Sequence, residues 1–322
     1  MPTKALQIQD LCGSFRVTRF LGSGRTSELY EAIHESSGDK ATLSILSREA
    51  AADEGERRRF QAETELFGAL DHPNILRLLG SGEIEGLPWR AMELAAGGSL
   101  RARIEGSPTP MSSAVALCFA RQIADALGAL HGAGAAHGEL EPESILLSDI
   151  DEVKLADLGA APLAAAQGGP VVAARKPGPE ARRYAAPERL RGDPADARSD
   201  VFAAGAILRE ILEGPAARGA RRTRALPDFL RDVIEKATAP DPGERYSSME
   251  ALGDAVNNAW NALLDQSREG AELEQALATL AQALGSGGGG GGGGGEESED
   301  APADLEALLQ ELATAVRETE GD

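Results

Sequence analysis

A change of hydrophobic period near residue 94 restricts the fold more than any other feature of this chain. Before it, apolar residues fall in short β-like runs at 15–21, 28–33 and 41–46, with Gly and Ser between them as hairpin chemistry requires. A helical stretch follows over about 54–70 and ends at "HPN" (His72, Pro73, Asn74), because Pro73 cannot continue the hydrogen-bond ladder. Two more strands are expected at 75–84 and 89–94, and "AAGGSL" then breaks the pattern. From Leu100 to about Leu264 the spacing is helical. Strands first and helices after predict an α+β chain with segregated lobes.

The C-terminal end has a different composition. Residues 287–295 are all glycine, which no packed element tolerates, so this run is a flexible linker. A tether over 285–303 would span about 22–26 Å. Beyond it, Leu305, Leu308, Leu309, Leu312 and Val316 recur at helical spacing within an acidic segment. "AELEQALATLAQAL" (271–284) and "ADLEALLQELATAV" (303–316) align without gaps and agree at seven of fourteen positions. They are either independent amphipathic helices of similar composition, or two copies of one helix that pair or compete for one groove. The expected division is an extension over 1–11, a β-rich lobe over 12–94 and a helical lobe over 95–266. An amphipathic helix over 267–284, a Gly-rich acidic linker over 285–303 and an acidic helical tail over 304–322 complete it.

A formal net charge of −20 argues against binding to nucleic acid or to an anionic membrane surface. The two cysteines, Cys12 and Cys118, and four scattered histidines build no metal cluster, and the helical run around Cys118 predicts a buried, inert thiol. The sequence shows neither a leader pattern nor an apolar run of about 18 residues, so a cytoplasmic protein is expected.

"FLGSGRTSELY" places Gly22 and Gly24 in a turn between two strands, where backbone N–H groups can approach a phosphate closely. Alone, this turn is equally an ordinary hairpin. It is followed in order by "HGELEPESILL" (137–147), "KLADLG" (154–159), "YAAPERL" (184–190), "RSDVFAAGAIL" (198–208) and "PGERYSSMEAL" (242–252). In that order and at those spacings, residues 12 to 260 resemble the protein kinase superfamily, most closely bacterial Ser/Thr kinases of eukaryotic type. The resemblance implies a bilobal protein-kinase-like fold, a small β-rich N-lobe over a larger helical C-lobe, with C-terminal helices and a Gly linker appended.

The same resemblance assigns roles that the residues present do not fill. The third-strand lysine that holds nucleotide phosphates falls on Ser44, while its glutamate partner is kept as Glu63. The catalytic base position holds Glu139, the metal-binding asparagine is Ser144, the phosphate-facing lysine is Glu141, and the phospho-sensing arginine is Gly138. Asp157 of "DLG" stands unchanged, as a metal ligand or a backbone cap. Leu29 and Thr42 fill the adenine ceiling with bulkier side chains than usual, over the floor residue Leu146. Gly22, Gly24, Ser44, Glu63, Met92 and Leu146 thus mark a vestigial nucleotide cleft. In it Glu63, Glu139, Glu141 and Asp157 are expected to converge with no lysine to offset them, Arg25 being the one nearby cation. The segment between Gly159 and Tyr184 contains no Ser or Thr to phosphorylate.

His137 reads as a core residue beside Gly138, Asp200 as a cap on the catalytic-loop backbone, and Glu188 as the partner of Arg245. The expectation is a pseudokinase, a signalling scaffold or allosteric protein-binding module with no cofactor. The alternative is a weak ATP/Mg²⁺-dependent Ser/Thr kinase using Glu139 and Asp157. Two basic patches, from Arg218 to Arg224 and from Arg175 to Arg183, offer docking sites for a protein partner such as an active kinase or signalling protein, or for the acidic C-terminal helix in cis or trans. Each is equally a solvated charged loop.

Overall fold

The computed structural model describes residues 5–107, 109–158, 161–162, 178, 181–214 and 226–285. The N-lobe is a six-stranded antiparallel sheet of β1 (Leu11–Cys12), β2 (Phe15–Ser23), β3 (Ser27–His34), β4 (Lys40–Leu46), β5 (Leu78–Ile84) and β6 (Leu87–Glu93), in the order β1-β2-β3-β4-β6-β5. Period-two side-chain alternation sorts its residues. Phe15 and Val17, Tyr30 and Ala32, Leu43 and Ile45, and Trp89 and Ala91 build one core on the outer face. Ser44, Arg90 and Met92 alternate with these and point to the opposite face, where the helix α2 (Glu54–Ala69) packs on Arg90 through Phe60, Glu63 and Phe67. Asp53 starts α2 by accepting from the N–H groups of Gly55 at 2.7 Å and Glu56 at 3.2 Å.

Asn74 of "HPN" ties the lobes together. Its Nδ2 donates to Gln122 Oε1 at 2.9 Å and to the Val153 carbonyl at 3.0 Å, and its own carbonyl accepts from Leu155 N–H at 2.8 Å. Beyond it, α3 (Leu100–Gly106) leads to α4 (Ser113–Gly132), the centre of the C-lobe, against which α6 (Ala197–Glu213) and α8 (Met249–Gly285) pack. The short α5 (Pro187–Arg191) precedes α6, and α7 (Asp228–Ala237) lies between α6 and α8. At the α6–α7 crossing a Cβ on Gly205 would stand 2.5 Å from Ala237 Cβ, so the close approach requires glycine there. The small strands β7 (Gly98–Ser99), β8 (Ala135–Ala136), β9 (Ile145–Leu147), β10 (Val153–Leu155) and β11 (Ala161–Pro162) frame the catalytic-loop region. One core runs through both lobes, from Phe67, Ile75 and Met92 to Leu158 and on to Leu208 and Val256.

One expectation changes. Cys118 is exposed and accepts from Gln122 Nε2, because the buried stripe of α4 runs through Ala116, Leu117, Phe119 and Ala120 and leaves position 118 outside. Cys12 is the buried thiol, and burial pushes its pKa up to about 12. Residues 267–284 are helical, as the C-terminal part of α8, which continues unbroken across residue 266 and tolerates Gly270. By length and composition α4 alone among the described residues could cross a membrane, but it serves here as the C-lobe's central core helix. The linker over 285–303, the tail over 304–322 and the patch from Arg218 to Arg224 lie outside the described residues, Gly285 excepted. Of the patch from Arg175 to Arg183 only 178 and 181–183 are described.

Candidate functional site

The cleft between the lobes is built from three pieces: the β2–β3 turn, the underside of α2, and the loop between β8 and β9. In the turn, the Gly24 N–H donates to the Ser27 carbonyl at 2.8 Å, so this amide is already paired. Arg25 leaves the turn and crosses to the C-lobe, where Nη2 donates to Glu139 Oε2 at 2.7 Å. From α2, the largely buried Arg59 approaches the other oxygen, Oε1, at 3.6 Å. The carboxylate at the base position is thus held from both sides by arginines of the N-lobe.

Deeper in, Arg90 Nη2 donates to Glu63 Oε2 at 3.0 Å. Burial pushes the Glu63 carboxyl above its ordinary range, Arg90 pulls it back, and the charge of Asp157 pushes in the same direction as burial. Glu141 is also raised, by burial first and then by its neighbour Glu143. The Ser144 hydroxyl is turned into its own loop. It donates to the Glu141 carbonyl at 2.7 Å while accepting from Glu141 N–H at 3.2 Å, and the residue is 2% exposed. Where an asparagine could face a metal, serine staples the loop to itself.

The backbone of the same loop is held from below. Asp200 accepts from His137 N–H at 2.8 Å, Gly138 N–H at 2.7 Å and His131 Nε2 at 2.7 Å. Gly138 has φ +73°, a conformation that favours glycine, so an arginine restored there would be strained. His137 is buried, which holds its imidazole below the usual range and therefore neutral. That fits the core role expected for it. Glu188 meets Arg245 in two bonds of 2.6 and 2.9 Å, as the resemblance implied.

The resulting cavity has a volume of about 160 Å³, below the roughly 300–1,000 Å³ of small-molecule sites. Gly24, Ser44, Glu63, Glu139, Ser144 and Asp157 line it, together with Arg25, Arg59 and Arg90. Gly22, Met92 and Leu146 do not. Met92 is packed in the core between the lobes, and Leu146 pairs with Ser99 and Lys154 in a small sheet. The cavity therefore joins the phosphate end of the predicted cleft to the space under α2, and of the residues assigned to the adenine slot only Leu29 lines it. Among the described residues no group of three or more His, Cys, Asp or Glu is placed to hold a metal.

One expectation about this site is overturned. The cleft is not short of cations, and Arg25 is not the one substitute, because Arg59 and Arg90 stand beside it. The signal for Arg90 was present: a charged residue inside the apolar strand "LPWRAMEL", at a position whose alternation faces α2. Arg59 was masked by the run "RRR" (57–59), which reads as a solvated helix face.

The family model described as "protein kinase domain" matches residues 15–225. The serine/threonine-protein kinase PknD of Mycobacterium tuberculosis is 31% identical over 273 residues, covering 79% of this chain and 40% of its own length. The serine/threonine-protein kinase PrkC of Bacillus subtilis is 27% identical over 273 residues, covering 78% of this chain and 41% of its own. The chain thus spans well under half of these relatives. A crystal structure of the M. tuberculosis PknI kinase domain superposes with a TM-score of 0.62 at 28% identity, covering 79% of this chain and all of that one.

Proposed function

The chain belongs to the protein kinase family, and from that premise we propose that it is a pseudokinase, a kinase-fold domain that works as a signalling scaffold or allosteric binding module. The observation that carries this reading is Glu139, the residue at the catalytic-base position, held between Arg25 and Arg59. A base needs a carboxylate free to meet a hydroxyl, and positioning cations need to face the phosphates. Here both are engaged with each other.

The residues do not fit a nucleotide with two metal ions. Ser144 is spent on the loop, Ser44 carries no charge, and Asp157 is the sole acid kept at a metal position. Partners in this reading are proteins, such as an active kinase or signalling protein. They would be met through the patches from Arg218 to Arg224 and from Arg175 to Arg183, with the acidic tail docking in cis or trans, and the setting would be cytoplasmic.

A second reading, a weak ATP- and Mg²⁺-dependent Ser/Thr kinase using Glu139 and Asp157, draws on the three arginines that offset the cleft's acids. Calorimetric titration with ATP, with and without Mg²⁺, separates the two. No heat and no thermal stabilisation at millimolar nucleotide is the expected result. Micromolar binding that Asp157→Ala abolishes would overturn the pseudokinase reading.

A further inference from the structure

Ser44 and Arg90 are directly opposed across the β4–β6 ladder. Side chains opposed in this way stand about 4.5–5.5 Å apart at Cβ and share one face of the sheet. Here that face is the one under α2. A lysine at 44 would crowd and repel an arginine at 90, whereas serine leaves room for it. Ser44 and Arg90 are 7% and 6% exposed. The loss of a cation on β4 and the presence of one on β6 therefore occupy the same place in the fold.

Arg90 meets α2 through three residues. Its guanidinium lies 4.6 Å from the ring centre of Phe60 and 5.2 Å from that of Phe67, and its Nη2 donates to Glu63. Positions 60, 63 and 67 are spaced i, i+3, i+7, so one face of α2 closes on one side chain. Cation–π contacts in a desolvated setting and a buried ion pair both resist separation, because parting them leaves a charge without partners.

We propose that Arg90 is the positioning residue that docks α2 against the sheet through Glu63, taking over from the neighbouring strand the anchoring role of the lysine absent at Ser44. This goes beyond the pseudokinase reading and is independent of it, since a docked α2 shapes the cleft of an inactive domain as much as of an active one. The anchor sets a fixed α2 face and leaves Arg25 and Arg59 to Glu139.

Hydrogen exchange of the 322-residue chain tests it. Arg90→Leu should raise exchange of the α2 amides about tenfold or more while the amides of α4 and α6 keep their rates. Adding Ser44→Lys to that variant restores a cation to the original strand and should return α2 to within about threefold of the parent. A role confined to packing would not be rescued by a lysine one strand away. Glu63→Gln, which keeps the shape of the side chain, should loosen α2 similarly and add little to Arg90→Leu. If Arg90→Leu does not fold, Glu63→Gln carries the test alone. Parental α2 exchange in Arg90→Leu, or in Glu63→Gln when it stands alone, overturns the proposal. Failure of Ser44→Lys to restore protection also overturns it.

Discussion

The brace under the C-lobe and the cleft above it are made from the same materials, arginines and carboxylates removed from water, yet they are satisfied to different degrees. In the brace, both oxygens of Glu188 meet Arg245, Ser199 adds its hydroxyl, and Arg245 also donates to the carbonyls of Ala239, Arg198 and Pro240. Burial pushes the Glu188 carboxyl up, but Arg245 outweighs it and holds the group below its ordinary range. In the cleft, Glu63 and Glu141 are pushed the other way, because burial outweighs what Arg90 and Arg25 return. The difference teaches where the sequence keeps a strict geometry: in the parts that hold the fold, and not in those that would hold a nucleotide.

The sharpest way to break this comparison is to remove one partner from the brace. Arg245→Ala leaves Glu188 charged and without its cation among buried atoms, and such losses typically cost about 3–5 kcal/mol. Denaturant unfolding should show a drop of that size. A drop under about 1 kcal/mol would mean that the brace, like an exposed pair, contributes little.

The brace was also the more legible region. Asp200, Glu188 and Arg245 could be assigned from motif order alone, because each bonds within a fixed arrangement of loop and helix ends. The sheet and α2 were legible too, from the short β-like runs and from "HPN". What the sequence hid in the cleft were pairings between residues far apart in the chain, Arg25 with Glu139 and Arg90 with Glu63. Motif matching takes positions one at a time, so it registered the lysine missing at Ser44 without registering the arginine opposite it.

The middle-sized effect lies at the mouth of the cleft. Arg25 is 61% exposed at its side chain, so its pair with Glu139 is screened by water and should contribute only about 0–1 kcal/mol. Arg25→Ala is therefore expected to leave the denaturation midpoint nearly unmoved. The same change should accelerate hydrogen exchange in the turn between β2 and β3. A large fall in stability would place Arg25 with the brace, as a fold-bearing residue, and erase the distinction between the two regions.

The smallest effect is the most discriminating, because the two regions respond to acid with opposite sign. Glu188 is depressed when folded, so its contribution is complete above the unfolded carboxylate value of about 4.3 and is lost as pH falls through the lower folded value. Glu63 and Glu141 are raised when folded. The folded state binds their protons more tightly, so their contribution is complete below the unfolded value of about 4.3 and is lost as pH rises through their raised values. Denaturant midpoints measured downward from pH 7 should hold level or rise slightly until the ordinary carboxylate range, then fall steeply below it. Glu141→Gln should flatten the rise, since it removes one of the two groups that cause it, and leave the acid limb where it was. A midpoint that declines steadily from pH 7 would show the cleft carboxylates to be as well compensated as Glu188. The arginines that gathered there would then have restored in full the charge balance that a lysine at position 44 would have supplied.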